Sequence, residues 1–238
     1  MHMFLTMNES IVCITSDLDW VSDEILLYEL ELIEDFNINI TIFCTHSLNI
    51  KITKHELAIH PYFRSIDSEE EEIIRLRKIF PNAVGARAHS LYFRSSLVDK
   101  YIKYGFIYDS SYLCPLQINI TPFYIKNLIE IPIFFGDYYF LSLNNKNIKN
   151  FDYNLLLHEG IKVFNIHPIH VYLNTCDLNQ YLKYKKYGLQ NNIINNKTYG
   201  IRDFLVDLLE FIERNDIQTM TLAEVATEFL KAKAKNNS

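Results

Sequence analysis

The sequence predicts an α/β protein, either a mostly parallel β/α barrel or a doubly wound parallel sheet, and the barrel is the preferred architecture. Strand-like and helix-like segments alternate along the chain and make up about seven βα units. No Pro/Gly/Ser-rich linker interrupts this alternation. The chain has 238 residues, of which 49% are hydrophobic, and this is enough for one large core. We therefore expect a single domain over residues 1–238.

Residues 11–61 predict three strands and one helix. Ile11–Thr15 is a β-branched run that predicts the first strand, and Ile38–Cys44 alternates as the second. Between them, Ser22-Asp23-Glu24 is typical of the start of a helix with acids in its first turn. The apolar residues that follow recur at helical spacing: Leu26, Leu27, Leu30, Ile33 and Phe36. His55–Pro61 predicts a third strand, which the proline would end.

The middle of the chain continues with a helix, a strand and a second helix. Ser68-Glu69-Glu70-Glu71 has the pattern of a capping box, which predicts a helix start. The apolar face of this helix consists of Ile73, Ile74, Leu76 and Ile79. Ala83–Ala88 then predicts a short strand, and Leu97–Tyr104 predicts a short helix.

The remaining residues predict three strands and two helices. Glu130–Phe135 and Lys162–Ile166 are strand candidates, and Gln218–Thr219 begins the last strand. An amphipathic helix is indicated by Ile201, Phe204, Leu205, Leu208, Phe211 and Ile212. A second capping box, Thr221-Leu222-Ala223-Glu224, opens the final helix. Two Asn-rich stretches, residues 144–150 and 189–200, predict surface loops.

The composition argues against several classes of function. The net charge of −6 does not favour a nucleic-acid surface, and the short lysine runs at 183–186 and 231–235 are interpreted as solvated faces. The four cysteines form no CxxC pair, so neither a zinc knuckle nor a redox pair is predicted. No stretch approaches the roughly 20 apolar residues of a membrane span. The start, MHMFLTMNES, lacks the features of a signal peptide, and a cytoplasmic location is therefore expected.

Five predicted strands end in an acid, a histidine or an arginine. In parallel α/β folds the loops after the strands converge, so these side chains are expected to share one site. They are Asp17 and Asp19 after the first strand, His60 after the third, Arg87 and His89 after the fourth, Asp137 after the fifth, and His167 after the sixth, with His170 three residues later.

Each of these residues also has a structural interpretation. Asp19 could cap the next helix, whereas Asp17 lies further from the helix start. Arg87 could be the partner in a surface salt bridge, and Asp137 could be a turn residue. A lone histidine beside a proline is more often a loop residue than a ligand. The set supports a functional site more strongly than any of its members.

The segment ITSDLDW, residues 14–20, places two carboxylates one residue apart. Because residues i and i+2 of an extended chain face the same way, Asp17 and Asp19 can face one pocket. They would repel each other unless a cation or a shared proton lay between them. Aspartate with histidine ligands suits Zn²⁺ or a similar divalent metal, which polarises a carbonyl and lowers the pKa of water. With a second carboxylate as base and a histidine as acid, the site could hydrolyse an amide or ester.

The order of these motifs resembles the polysaccharide deacetylase family (NodB homology, carbohydrate esterase family 4), above all its short WbmS-like bacterial branch. The resemblance spans residues 11–173. SDLDW is similar to the first family motif, which implies that Asp17 is the general base and Asp19 a metal ligand. RAHS resembles the third motif, whose arginine contacts the base, and this implies that role for Arg87. VFNIHP resembles the last motif and implies that His167 is the general acid. Asp137, similar in place to polar residues of the fourth motif, is the expected partner of His167. The family fold is a distorted (β/α)7 barrel.

One motif departs from the family pattern. HPYFR supplies His60 as a metal ligand, but Arg64 stands where the family usually has a second histidine. His89, at a neighbouring strand end, is the preferred third ligand. His55, at the opposite end of the strand that carries His60, is the alternative. The resemblance implies a divalent metal, most often Zn²⁺, with Co²⁺, Ni²⁺ or Mn²⁺ as alternatives.

The resemblance implies a metal-dependent hydrolase that removes an N-acyl group, acetyl or formyl, from a sugar or sugar nucleotide in surface-polysaccharide metabolism. Two other functions remain open at this stage. A non-catalytic barrel could have kept the sugar-binding cleft, which the missing second histidine favours. A GT-A glycosyltransferase could use Asp17-Leu18-Asp19 as its Asp-x-Asp motif, although only sixteen residues precede Asp17 where a nucleotide-binding half is usual. The sugar, its carrier and the oligomeric state are not defined by the sequence.

Overall fold

A sheet of ten strands and eight α-helices make up the part of the chain that the structure, a computed structural model, describes: residues 9–143, 148–189 and 193–236. The strands are β1 (Ser10–Asp17), β2 (Thr41–Cys44), β3 (Glu56–Ile59), β4 (Gly85–Ala86), β5 (Tyr108–Asp109), β6 (Phe123–Ile125), β7 (Leu128–Glu130), β8 (Ile133–Gly136), β9 (Gly160–Ile166) and β10 (Gln218–Thr219). The helices are α1 (Asp23–Glu34), α2 (Glu69–Ile79), α3 (Ser95–Lys103), α4 (Asp137–Ser142), α5 (Pro168–Leu173), α6 (Leu178–Tyr187), α7 (Ile201–Arg214) and α8 (Leu222–Asn236).

The strands form one curved, mostly parallel sheet in the order β6-β7-β5-β4-β3-β2-β1-β9-β8. Of the strand pairs in the described residues, only β6–β7 is antiparallel, and β10 pairs with the beginning of β1. The two ends of the sheet approach each other after β5, where Leu113 pairs in parallel with Ile133 of β8. The sheet is therefore a distorted, incompletely closed β/α barrel, as predicted, and not a doubly wound sheet.

The two faces of the sheet bury two different hydrophobic clusters. Along β1, Val12 and Ile14 contact the outer cluster, whereas Ile11 and Cys13 contact the inner one, because successive strand residues face opposite sides. The inner cluster includes α8, whose first backbone N–H groups are bound by Thr41 and Glu56 near the amino ends of β2 and β3. Helix α8 thus lies at the amino-terminal end of the barrel, and the carboxyl ends of the strands remain available for a site.

Most predicted elements are present, but three differ in their details. The predicted strand Glu130–Phe135 is two strands, β7 and β8, because Pro132 lies between them and has no N–H to donate. The predicted capping box at 68–71 is wrong, since Ser68 hydrogen-bonds with Ser65 and caps a preceding 3₁₀ turn at Ile66–Ser68. The predicted strand at 83–88 is confined to β4 and ends before Arg87.

The second predicted capping box is confirmed by two reciprocal hydrogen bonds. The Thr221 N–H donates to Glu224 Oε2 at 2.7 Å, and the Glu224 N–H donates to Thr221 Oγ1 at 3.3 Å. Within the two predicted loops, residues 144–147 and 190–192 lie outside the described residues. Among the described residues, no helix is both long and apolar enough to cross a bilayer.

Candidate active site

The carboxyl ends of the strands open into a cavity of about 390 Å³. Seven residues that the strand-end argument selected line it: Asp17, Asp19, His60, His89, Asp137, His167 and His170. Arg87, the eighth, lies fully buried beneath them. The structure therefore brings the predicted strand-end residues together at one place in the fold.

Asp19, His60 and His89 form a cluster whose potential ligand atoms all lie within 4.8 Å of one another. Asp19 Oδ1 is 2.9 Å from His89 Nδ1 and 3.3 Å from His60 Nε2. Burial opposes the ionisation of Asp19, but the two imidazoles outweigh it and hold the pKa of this carboxyl well below its usual range. An ionised carboxylate with two imidazole nitrogens is a typical donor set for Zn²⁺.

The tautomer of His60 supports a cation at this cluster. His60 Nδ1 lies 2.7 Å from the carbonyl oxygen of Arg87, and because a carbonyl only accepts, Nδ1 carries the proton. His60 Nε2 is buried and has no hydrogen-bond partner among the described residues. In the neutral ring its lone pair faces a carboxylate oxygen, so a proton or a metal cation is needed between them. The residues present therefore fit a divalent metal.

His89 and not His55 belongs to this cluster. His55 lies at the other end of β3, where its Nδ1 accepts a hydrogen bond from the Ile40 N–H at 3.3 Å. Arg64, at the position of the missing family histidine, is exposed and lines a separate surface groove. The ligand that HPYFR lacks is thus available from the neighbouring strand end.

Two short segments of left-handed backbone hold the cluster. Asp19 and Trp20 have φ values of 42° and 60°, and Ser90 and Leu91, next to His89, have values of 58° and 52°. Such conformations are uncommon for residues with a side chain and concentrate at functional sites. The Trp20 ring also packs edge-on against the His89 imidazole, with centroids 5.2 Å apart. Backbone geometry and aromatic packing together orient His89.

Asp17 is oriented by a buried arginine. Arg87 Nη1 donates to Asp17 Oδ1 at 2.8 Å and to Thr15 Oγ1 at 2.7 Å. The rest of the guanidinium donates to the carbonyl and hydroxyl of Ser110, and it stacks on the Phe43 ring at 4.1 Å. Asp17 Oδ2 lies 3.8 Å from His60 Nε2 and is the oxygen left for a ligand.

His167 is held by Asp137 on the opposite side of the cavity. His167 Nδ1 donates to Asp137 Oδ1 at 2.6 Å, and the His167 backbone N–H donates to Asp137 Oδ2 at 2.7 Å. Burial disfavours the imidazolium, but the Asp137 carboxylate outweighs it and raises the pKa of His167 to about 10. His167 Nε2 lies 3.7 Å from Asp19 Oδ2 and is the nitrogen that faces the cluster.

His170 makes a second possible metal cluster with Asp137 and His167. Its Nδ1 lies 3.1 Å from Thr175 Oγ1, and burial lowers the pKa of His170 to about 4. Both oxygens of Asp137 already accept hydrogen bonds from His167, and one also accepts the Tyr138 N–H. Since these donors satisfy the carboxylate, the Asp19 cluster is the better metal site.

Two buried carboxyl groups near Arg87 were not predicted. Asp109 ends β5 and Glu130 ends β7, so the strand-end argument would have selected both had these short strands been recognised. Ser111 Oγ donates to Asp109 Oδ1 at 2.8 Å, and Glu130 Oε1 accepts the Ser111 and Tyr112 N–H groups, each at 3.0 Å. Burial raises the pKa of Asp109 to about 7 and that of Glu130 well above its ordinary value. The pair therefore retains a proton near neutral pH.

Replacing Glu130 with glutamine is expected to flatten the dependence of stability on pH. The protonated form of the pair stabilises the fold fully below the unfolded pKa of about 4, and this stabilisation is lost as the pH rises through about 7. Glutamine keeps the acceptor oxygen and offers an amide in place of Oε2. We expect Glu130→Gln to be more stable than the wild type by roughly 1–3 kcal/mol at about pH 8, and the difference to shrink at about pH 5.

Urea unfolding at the two pH values measures this difference. The exposed residue Glu213 provides a matched control, since Glu213→Gln makes the same chemical change at the surface. If the stability of Glu130→Gln varies with pH in parallel with that of the wild type, the pair does not hold the proton.

In comparisons with known proteins, a family model and a similar solved structure both carry the description of a polysaccharide deacetylase. A family model described as WbmS-like polysaccharide deacetylase matches residues 14–185. A similar solved structure is WbmS from Bordetella bronchiseptica, a candidate polysaccharide deacetylase involved in O-antigen biosynthesis. It is 27% identical, with a TM-score of 0.74 over 85% of this chain and 90% of that chain. No curated protein matches the chain.

Two more distant structures share the fold. A candidate polysaccharide deacetylase from Mycobacterium smegmatis is 15% identical, with a TM-score of 0.60 over 95% of this chain and 92% of its own. The Xyl-CE4 domain of a multidomain xylanase, from the hindgut metagenome of Trinervitermes trinervoides, is 13% identical, with a TM-score of 0.53 over 93% of this chain and 91% of its own. The barrel is thus similar to NodB-like barrels at low sequence identity.

Proposed function

The chain belongs to the WbmS-like family of polysaccharide deacetylases, and from this premise we propose that it hydrolyses the N-acyl amide of a sugar in a metal-dependent reaction. The observation that carries the proposal is the Nε2 of His60, which is buried beside Asp19 and His89 and has no hydrogen-bond partner in the described part of the chain. Such an atom is costly to bury unless a ligand satisfies it. Asp19, His60 and His89 would hold the metal, with Zn²⁺ the first choice and Co²⁺, Ni²⁺ or Mn²⁺ as alternatives.

A divalent metal at this position supplies a Lewis acid that polarises the amide carbonyl and lowers the pKa of water. Asp17 is proposed as the general base. Its Oδ1 is engaged by Arg87, so Oδ2 is the atom that accepts the proton from the attacking water. Arg87 is a positioning residue, because its hydrogen bond to Oδ1 fixes the orientation of the Asp17 carboxylate, while Arg87 itself is buried beneath the cavity.

His167 is proposed as the general acid. Its Nδ1–H is committed to Asp137, so the proton on Nε2 is the one that can be transferred. When the carbonyl carbon–nitrogen bond breaks, Nε2 donates this proton to the departing amine. The water oxygen stays on the acyl group, and the products are a free amino sugar and the carboxylate of the acyl group.

The proposed substrate is an N-acetylated or N-formylated sugar of surface-polysaccharide metabolism, either as the sugar itself or as a sugar nucleotide. The Bordetella bronchiseptica relative is described as involved in O-antigen biosynthesis, which supports this class of substrate. A cytoplasmic location is part of the proposal. The family membership favours the hydrolase over the glycosyltransferase that the Asp-Leu-Asp motif left open.

A non-catalytic sugar-binding barrel is the second candidate, and one observation favours it: the family's second histidine is replaced by the exposed Arg64. Metal analysis of the purified protein, combined with an amine-release assay over N-acetyl and N-formyl sugar nucleotides, separates the two candidates. We expect one divalent ion per chain and release of amine that a chelator abolishes. A metal-free protein that binds sugar without turnover would support the second candidate, and retained UDP or GDP would support the glycosyltransferase.

A further inference from the structure

Helix α6 presents an outward face that combines apolar and basic side chains. Two pairs of residues at i,i+4 spacing form this outer face: Leu182 with Lys186, and Lys183 with Tyr187. Leu189, just after the helix, extends it. The exposed fractions of the large side chains are 56% for Leu182, 57% for Tyr187 and 49% for Leu189. Single exposed leucines are ordinary, but three large apolar side chains within eight residues form a patch.

The charge of α6 differs in sign from that of the chain. Lys183, Lys185 and Lys186 lie within four residues, and no acid occurs from 178 to 189, although the net charge of the chain is −6. In the described part of the chain, none of the three lysines takes part in an ion pair. Lys186 lies over the ring of Tyr187 at 4.9 Å, so charge and apolar surface are adjacent.

The inner face of α6 is well packed, so the exposure of the outer face does not reflect a poorly anchored helix. Tyr181 is buried and its ring lies 4.5 Å from that of His170. The Gln180 side-chain amide donates to the carbonyl oxygens of Leu173 and Ile193, at 2.8 and 2.7 Å. The helix is thus fixed to the barrel by one face and offers the other to a partner.

We propose that the outer face of α6 binds the surface of an anionic lipid bilayer. Lysines on a helix face are attracted by anionic headgroups, while leucine and tyrosine side chains bury in the interface between headgroups and acyl chains. A soluble polyanion would pair with the lysines but would leave the exposed leucines in water. A bilayer surface satisfies both parts of the patch.

The position of α6 gives this binding a consequence for the substrate. Tyr181 and Lys185 of the same helix line the active-site cavity, so a docked α6 holds the cavity next to the headgroups. If the chain is the hydrolase proposed above, its substrates would then include N-acyl sugars that are attached to a lipid carrier. Binding to the bilayer itself does not depend on turnover.

Co-sedimentation with lipid vesicles tests the binding. We expect the wild type to sediment with vesicles of phosphatidylcholine and phosphatidylglycerol, but not with phosphatidylcholine alone, and to be released by salt. Lys183→Glu/Lys186→Glu is expected to weaken binding by roughly 25-fold or more, since each lysine near the surface contributes about fivefold. Lys51→Glu/Lys54→Glu makes the same charge change elsewhere on the surface and is expected to keep most of the binding.

A second variant tests the apolar part of the patch. Leu182→Ser/Leu189→Ser leaves the charges intact and is expected to weaken binding roughly tenfold. Circular dichroism confirms that each variant is folded. The proposal is wrong if the wild type stays in the supernatant with phosphatidylglycerol vesicles, or if Lys183→Glu/Lys186→Glu binds as well as the Lys51→Glu/Lys54→Glu control. Since this assay needs no sugar substrate, a failure of the hydrolase proposal would leave its result unaffected.

Discussion

Asp17→Asn is expected to lower the turnover of the N-acyl sugar by roughly 10²–10⁴-fold, the usual contribution of a positioned general base. Asparagine has the same shape as aspartate, and its oxygen can still accept the hydrogen bond from Arg87 Nη1. Its amide nitrogen, however, cannot accept a proton from the attacking water. The metal is expected to stay bound, because Asp19, His60 and His89 are unchanged.

Amine release and metal content, measured on the same preparation, test this result. Asp67→Asn is a matched control, because Asp67 is exposed on the 3₁₀ turn before α2 and lies outside the cavity. The control is expected to turn over at the wild-type rate. An Asp17→Asn protein with full activity would rule out Asp17 as the base. Loss of metal from that protein would instead indicate that Asp17 is a ligand.

His89→Ala is expected to weaken metal binding by at least roughly 100-fold, since even residues that only orient a ligand contribute 10–100-fold. His89 Nδ1 lies 2.9 Å from Asp19 Oδ1, and removing it would leave two of the three proposed protein donors. Activity is expected to fall with metal occupancy and to recover in part at high metal concentration.

His55→Ala is the matched control for this variant, because His55 was the other candidate ligand and lies at the opposite end of β3. Titration with Zn²⁺ after treatment with a chelator gives the affinity of both variants. We expect His55→Ala to bind like the wild type. Unchanged metal affinity in His89→Ala would show that the third ligand is another residue, and the cluster at 137, 167 and 170 would be the next to test.

The convergence of the strand-end residues could be predicted because it depends on topology and not on detailed packing. Asp17, His60 and His167 each follow a strand that is recognisable by its apolar residues, and parallel strands present their carboxyl ends on one side. The capping box at Thr221 was predictable for a similar reason, since both partners are close in sequence. The catalytic and metal-binding roles of the strand-end residues stay predictions, as does the single domain over residues 1–238.

Features that depend on very short strands could not be predicted. β5 has only two residues, which is too short for an alternating pattern, so the sequence does not identify Asp109 as a strand-end residue. Glu130 was assigned to the start of a longer strand because the break at Pro132 was not recognised. The left-handed backbone at Ser90 and Leu91, which helps to place His89, leaves no sign in the sequence, since neither residue is glycine or asparagine.

Arg87 orients two neighbouring residues of the site, one through its side chain and the other through its backbone carbonyl. Its side chain holds Asp17, while its backbone carbonyl fixes the tautomer of His60. The proposed base, Asp17, and the proposed metal ligand, His60, are therefore coupled through one residue, because a shift of the backbone at position 87 would disturb both contacts. Arg64 stands where the family pattern has its second histidine, and His89 at a neighbouring strand end is the proposed replacement, whereas the side-chain contact to Asp17 comes from Arg87. Variation is thus expected to be tolerated around the periphery of the ligand set and strongly restricted at position 87.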